Sequence, residues 1–222
     1  MNHSSHPAST TPPPPARVRT QVSIPLRFGD GYATTARAFS FHGLVDGGEH
    51  LALRLGERRL ASRGDHGGPE LVRVHSECLT GDVFGSDRCD CGPQLRESVG
   101  RVAAAGGLLL YLRQEGRGIG LYGKLDAYAL QDEGLDTYDA NLALGFGADE
   151  RDYTVAAQML LALGVPRIAL LTNNPDKVDQ LRALGIDVAA QLPTGVHLND
   201  ANAAYLATKV RRQQHTLELP AI

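Results

Sequence analysis

The chain has 222 residues and a formal net charge of −3, enough for one domain with a sizeable core, or one domain plus a small appendage. Apolar residues make up 42% of it and no apolar run reaches membrane-spanning length, which argues against an integral membrane protein. The slight negative charge gives no general pull toward nucleic acid or a membrane surface, so a polyanionic ligand would need a local cluster of cations.

Residues 1–17 are polar, rich in Ser, Thr and Pro, and include Pro12 to Pro15. They lack the apolar core of a signal peptide and read as a disordered tail on a cytoplasmic protein. From Val18 the pattern becomes strand-like. Val22, Ile24, Leu26 and Phe28 alternate with polar or small residues, which puts them on one face of a strand. Gly29 to Gly31 is a turn, Tyr32 to Phe41 a partner strand, and Leu51, Leu53 and Leu55 mark another alternating strand. Gly64 to Pro69 reads as loop, and Leu71 to His75 as a strand that ends just before the first cysteine. The first third is therefore expected to be a β-rich part that delivers a site at a strand end.

The remainder alternates between helix and strand. Pro93 to Ala105 is helical, with Pro near its start and Gly106 after its end. Leu108 to Leu112 is a short apolar strand. Gly118 to Gln131 carries Ile119, Tyr122, Leu125, Tyr128 and Ala129 at helical spacing. Helices over Tyr153–Leu163 and Pro175–Leu184 separate strands over Ile168–Leu171 and Ile186–Ala189, and a last surface helix is expected over Asn202–Arg212, capped by Asn199 or Asp200. The fold class is α/β (α+β): a β-rich N-terminal part followed by a mixed sheet with flanking helices. Residues 18–212 are expected to form one domain and 213–222 a C-terminal tail.

Cys78, Cys89 and Cys91 are the only cysteines, and they fall in a fourteen-residue window. Three thiolates so grouped suit zinc. They leave three readings: buried small hydrophobes without metal, a structural zinc closed by His75, or a zinc with an open fourth position for water. A disulfide is disfavoured, because Cys89 and Cys91 are too close to pair comfortably. His75-Ser76-Glu77 also presents the H-x-E of zinc nucleobase deaminases, but the later pair is C-x-C rather than P-C-x-x-C.

Other stretches point to an anion. The loop from Arg113 to Gly120 places three glycines before a helix, where backbone N–H groups can approach a phosphate, with Arg113, Arg117 and Lys124 supplying charge. It matches neither a Walker loop nor a dinucleotide fingerprint. Leu171 to Lys177 sets a lysine in the first turn of a helix, where positive charge makes sense if an anion binds there. The run from Ala148 to Tyr153 holds Asp149 and Arg151, and an arginine in such a place more often clamps a phosphate than reacts. Tyr128 is either a core aromatic or a proton donor in a site.

In this order the segments RVHSECLTGD, RCDCG, RQEGRGIGL, YALQD, ADERDY and LLTNNPDK resemble the GTP cyclohydrolase II family, from about Leu71 to Val188 and again at Tyr205 to Lys209. The resemblance implies opening of the guanine ring of GTP at C8 with release of formate and pyrophosphate, at the start of riboflavin biosynthesis. It implies one catalytic zinc on Cys78, Cys89 and Cys91 with water rather than His75 as fourth ligand, magnesium with the triphosphate, and a homodimer. By residue, it implies GTP contacts at Arg73, Val74, His75, Ser76, Glu77, Gln94, Glu115, Gly116, Arg117, Thr137, Thr172 and Lys177. Asp149 matches a proton acceptor, Arg151 the arginine that takes up the guanylyl group, and Tyr128 a tyrosine of the catalytic pocket. Asp149 is expected to orient Arg151 and ease its loss of a proton. Two departures stand out. Thr194 to Ala204 differs from the family pattern, and Tyr122, expected near the base pocket, raises an alternative in which reaction stops at a formylamino-pyrimidine. A zinc-stabilised nucleotide sensor without turnover is the rival from another class.

Overall fold

Alternating patterns build one half of the sheet and unbroken apolar runs build the other. The computed structural model describes residues 13–57, 68–147, 149–199 and 202. Strands β1 (Arg17–Arg27), β2 (Ala33–His42) and β3 (Leu51–Leu55) pair antiparallel, and β3 continues antiparallel onto β5 (Gly107–Leu112). Next to β5 lie β4 (Glu70–Ser76), β6 (Arg167–Leu171) and β7 (Asp187–Leu192), all parallel. The result is one seven-stranded mixed sheet in the order β1-β2-β3-β5-β4-β6-β7. The β-rich start is thus an edge of the same sheet as the later strands.

Helix α2 (Cys91–Ala105) covers one face, packing Val99 and Val102 on Leu55 and Leu109. Helices α5 (Thr154–Ala162) and α6 (Pro175–Ala183) cover the other, where Met159, Leu160, Val178 and Leu181 meet Val72, Leu110, Ile168 and Leu170. Period-two alternation in β4 therefore splits its residues. Val72 and Val74 enter the α5–α6 core, while Leu71 belongs to the α2 side, and Arg73 and His75 alternate in phase with it.

The expected apolar face of β1 is only half realised. Leu26 and Phe28 pack against the α2-side core, but Val22 is 51% and Ile24 36% exposed, because α2 lies over β3, β4 and β5 and stops short of the edge. The helix over Pro93–Ala105 begins two residues earlier, at Cys91, with Asp90 as its cap residue. Three short elements have no counterpart in the sequence reading: α1 (Leu79–Asp82), a 3-10 turn (Glu115–Gly118) and α4 (Thr137–Ala143).

Helix α3 (Gly120–Asp132) forms where expected but turns a different face inward. Lys124 and Ala127 are buried, whereas Tyr122 is 81% and Leu125 45% exposed. Most of the tail over 1–17, most of the loop over Gly64–Pro69, the helix over Asn202–Arg212 and the tail over 213–222 lie outside the described residues.

The connections define where a site belongs. The chain leaves β4, crosses the α2 face and enters β5, then returns over the α5 face past β4 to β6. Strand order reverses at β4, and the loops after β4, β5 and β6 open outward at their carboxyl ends, the usual ligand crevice of a parallel sheet.

Candidate active site

The three cysteines converge at that crevice. Cys78 caps α1 directly after β4, Cys89 lies in the following loop, and Cys91 opens α2. The Cys78 and Cys89 sulfurs are 3.6 Å apart, and all three lie within 4.8 Å of one another. Thiolates sharing one tetrahedral zinc at about 2.3 Å would stand roughly 3.8 Å apart, so the spacing fits. Gly81 keeps this pocket clear: a Cβ there would come within 2.8 Å of the Cys89 sulfur and 3.1 Å of the Cys78 sulfur. Among the described residues no histidine or carboxylate joins the three sulfurs. His75 is held elsewhere, its Nε2 donating to both Asp82 oxygens at 3.1 Å. Hydrogen bonding from Cys89 and Cys91, with the Lys124 ammonium behind it, drives the Cys78 thiol far below the usual thiol range. The same sharing pushes Cys89 up to about 11 and raises Cys91 well above the ordinary thiol value. Three sulfurs this close, one of them readily ionised, form a donor set for a soft cation.

The sulfurs line one open cleft. Its other wall is cationic. Arg73 and Lys177 are 7% and 5% exposed, and reach it from the middle of β4 and the first turn of α6. Arg73 donates to the Leu171 carbonyl at 3.0 Å and to Gln94 Oε1 at 3.2 Å, while its Nε has no partner. Gln94 in turn donates to Asp90, so a guanidinium is braced through an amide onto the buried cap of α2. Lys177 Nζ donates to the Val74 carbonyl at 2.7 Å. Asn174 caps α6 as expected, its side chain accepting the Asp176 N–H, with Pro175 at the first turn.

The glycine loop bends as its sequence suggests. Gly116 and Arg117 both adopt positive φ, near +63° and +64°, which is unusual for arginine and turns the Arg117 side chain toward the cleft. The Arg117 carbonyl accepts the Glu150 N–H at 3.0 Å, tying this loop to the Asp149–Arg151 segment. Glu115 is buried and anchors three groups: the Leu79 N–H at 2.6 Å, the Gly116 N–H at 2.9 Å and Lys124 Nζ at 2.9 Å.

Of the residues expected at the site, His75, Ser76, Glu77, Gln94, Glu115, Gly116, Arg117, Tyr128, Thr137, Arg151 and Thr172 also line this cleft. Two do not. Val74 points into the α5–α6 core and offers only its carbonyl, and Asp149 stands behind Arg151. The Asp149 carboxylate grips Arg151 through two parallel hydrogen bonds, one of them Nε to Oδ1 at 2.8 Å. Burial opposes the Asp149 charge, but the bonds and charge of Arg151 outweigh it and lower the pKa. Asp149 is thus placed to orient Arg151, and in the resting ion pair the guanidinium is charged.

Three further expectations change. Arg113 sits outside this cleft, with Nε donating to Glu77 at 2.8 Å and a side chain 53% exposed. Lys124 faces the cysteines, donating to Cys78 Sγ at 3.1 Å, to Thr80 at 2.9 Å and to Glu115. Tyr122 projects to solvent away from the cleft. Tyr128 does line it, lying under Arg88 at 4.9 Å, and burial pushes its hydroxyl up to about 12, so it stays protonated.

The sequence reading missed Asp82, which accepts from the Cys78 N–H, the Tyr111 hydroxyl and His75. It also missed Asn173 and Thr194, which bond each other and line the cleft. An aspartate four residues after a cysteine carries little local signal, and Asn173 and Thr194 meet only through the β6–β7 pairing.

The comparisons with known proteins agree on one family. The GTP cyclohydrolase II family profile matches residues 17–193. A protein of Vibrio cholerae named GTP cyclohydrolase-2 is 50% identical over 204 residues, covering 92% of this chain and 100% of that protein. One of the same name from Psychromonas ingrahamii is 48% identical, covering 92% and 98%. The riboflavin biosynthesis protein RibBA of Bacillus subtilis is 48% identical over 197 residues, 88% of this chain and 47% of that longer protein.

Proposed function

The chain belongs to the GTP cyclohydrolase II family, and from that premise we propose that it opens the imidazole ring of GTP at C8. Formate and pyrophosphate leave, and a diaminopyrimidine ribonucleotide remains as a riboflavin precursor. The observation that carries the reading is the three-sulfur cluster, with no histidine joined to it among the described residues, facing a wall of buried cations in one cleft. A net-acidic chain that gathers Arg73, Arg117, Arg151 and Lys177 in one place is built for a polyphosphate.

Zinc on Cys78, Cys89 and Cys91, one per chain, would supply a Lewis acid for hydrolytic attack on the ring. Arg73, braced by Gln94, and Lys177 hold phosphate oxygens, and Arg117 adds a third cation from the neighbouring loop. Tyr128, protonated at neutral pH, donates from its hydroxyl to a developing negative charge on the base. Arg151 binds the α-phosphate as a cation. Its attack through Nη2 forms the P–N bond as the bond to pyrophosphate breaks, and the displaced proton passes to Asp149 Oδ2. That transfer becomes favourable only as bonding to phosphorus draws electrons from the nitrogen. The remaining expected contacts, His75, Ser76, Glu77, Glu115, Thr137 and Thr172, shape the same cleft.

We assign the catalytic unit to residues 18–212, flanked by tails over 1–17 and 213–222, in a cytoplasmic protein that uses magnesium with the triphosphate. Exposed Val22 and Ile24 on the β1 edge support a homodimer. No helix among the described residues is long and apolar enough to cross a membrane. The test is incubation of the purified protein with GTP and magnesium, with formate and pyrophosphate assayed separately. Both in equal amounts are expected. Pyrophosphate without formate would mean arrest after ring opening, and tight nucleotide binding with neither product would mean a sensor.

A further inference from the structure

Lys124 is a cation whose donors face away from a phosphate. It is 8% exposed, and Nζ bonds Cys78 Sγ at 3.1 Å, Thr80 Oγ1 at 2.9 Å and Glu115 Oε1 at 2.9 Å. An ammonium has three N–H donors, so none remains for a ligand in the cleft. Glu115 does not simply cancel the charge. The same carboxylate accepts the Leu79 and Gly116 N–H groups, which spreads its negative charge over three donors. The net effect is a fixed positive group pressed against one of three clustered sulfurs.

Three thiolates around a divalent ion leave a formal charge of about −1, which blunts the ion as an electrophile. A hydrogen bond to a ligating sulfur draws density from it and tunes the metal. We propose that Lys124 is a positioning residue for the Cys78 sulfur, holding it in place and weakening its donation so that a divalent metal on the three cysteines stays electrophilic. This rests on the metal reading above. Thr80 and Glu115 fix the ammonium for that task, and α3 carries it, which is why a lysine lies on the buried face of that helix.

The test uses full-length protein loaded with cobalt(II), whose sulfur-to-metal charge-transfer band reports how strongly the thiolates donate. Lys124→Met removes charge and donor together and moves the band to lower energy. Lys124→Gln keeps a neutral donor and moves it less. With zinc, kcat falls roughly 10- to 100-fold in the Met variant while KM for GTP is little changed. A band that stays put in both variants, or a raised KM with unchanged kcat, overturns the proposal, the latter marking a direct phosphate contact. If circular dichroism shows that the Met variant does not fold, the Gln variant decides by the same band. Metal analysis of the wild type separates the two claims: absence of bound metal defeats the metal reading itself, whereas bound metal with an unmoved band defeats only the role of Lys124.

Discussion

Asp82 Oδ2 accepts the backbone N–H of Cys78 at 3.0 Å, so the first cysteine is fixed by a carboxylate four residues further along the chain. The same carboxylate takes the Tyr111 hydroxyl at 2.8 Å and the His75 Nε2–H, and the His75 and Asp82 side chains are both buried. Replacing it by Asp82→Asn removes the charge that strengthens these bonds. We expect a loss of about 1.5–3 kcal/mol of stability, read from urea unfolding at neutral pH. A variant as stable as the wild type would mean that the carboxylate is replaceable.

Cys89→Ser leaves two sulfurs where three stood. Bound metal should drop well below that of the wild type, and formate release should vanish with it. Metal analysis beside a formate assay checks this. Loss of the folded state instead would assign the ion a structural task.

Arg151→Ala takes away the ion-paired guanidinium at the cleft while leaving the sulfurs untouched. Turnover should fall by at least ~100-fold with metal content unchanged. Near-normal rates would remove Arg151 from the chemistry.

His75 supplies a pH signature. Burial lowers its pKa below the ordinary imidazole value, and the Asp82 carboxylate offsets this only in part. The unfolded chain therefore binds a proton more readily than the folded one. The stability tied to neutral His75 is complete above about pH 6.5 and is lost as pH falls toward the folded pKa. Unfolding free energy followed from pH 8 to pH 5 should decline in the wild type more steeply than in His75→Gln. Parallel curves would contradict the assignment.

Tyr122→Ala tests a residue whose importance the fold removes. With 81% of its surface exposed and no place in the cleft, it should leave the ratio of formate to pyrophosphate unchanged and stability within about 0.5 kcal/mol. A changed ratio would restore it to the site.

Strands and cysteines were legible because their signals are local. Apolar runs such as Leu108 to Leu112 fixed β5, and three cysteines in fourteen residues fixed the candidate metal centre. Helix α3 misled because apolar spacing selects Ile119, Tyr122 and Leu125, while the face that turns inward is chosen by Lys124 seeking Cys78 and Glu115. The loop composition makes Arg113 a candidate phosphate cation, yet Glu77, distant in sequence, claims it. The exposed stretch of β1 followed from the length of α2, which no strand pattern encodes. The link between Asp149 and Arg151 rests, in sequence, on the family resemblance; the structure adds two parallel hydrogen bonds between them.

The two halves of this cleft are written into the chain at different ranges. Cys78, Cys89 and Cys91 are neighbours in sequence, whereas Arg73 and Lys177 meet only after β4 and β6 have paired. A growing polypeptide thus carries its full sulfur set long before the phosphate grip exists. Ion capture can precede tertiary closure during synthesis, and the cleft is completed only when the start of α6 and then Thr194 have emerged.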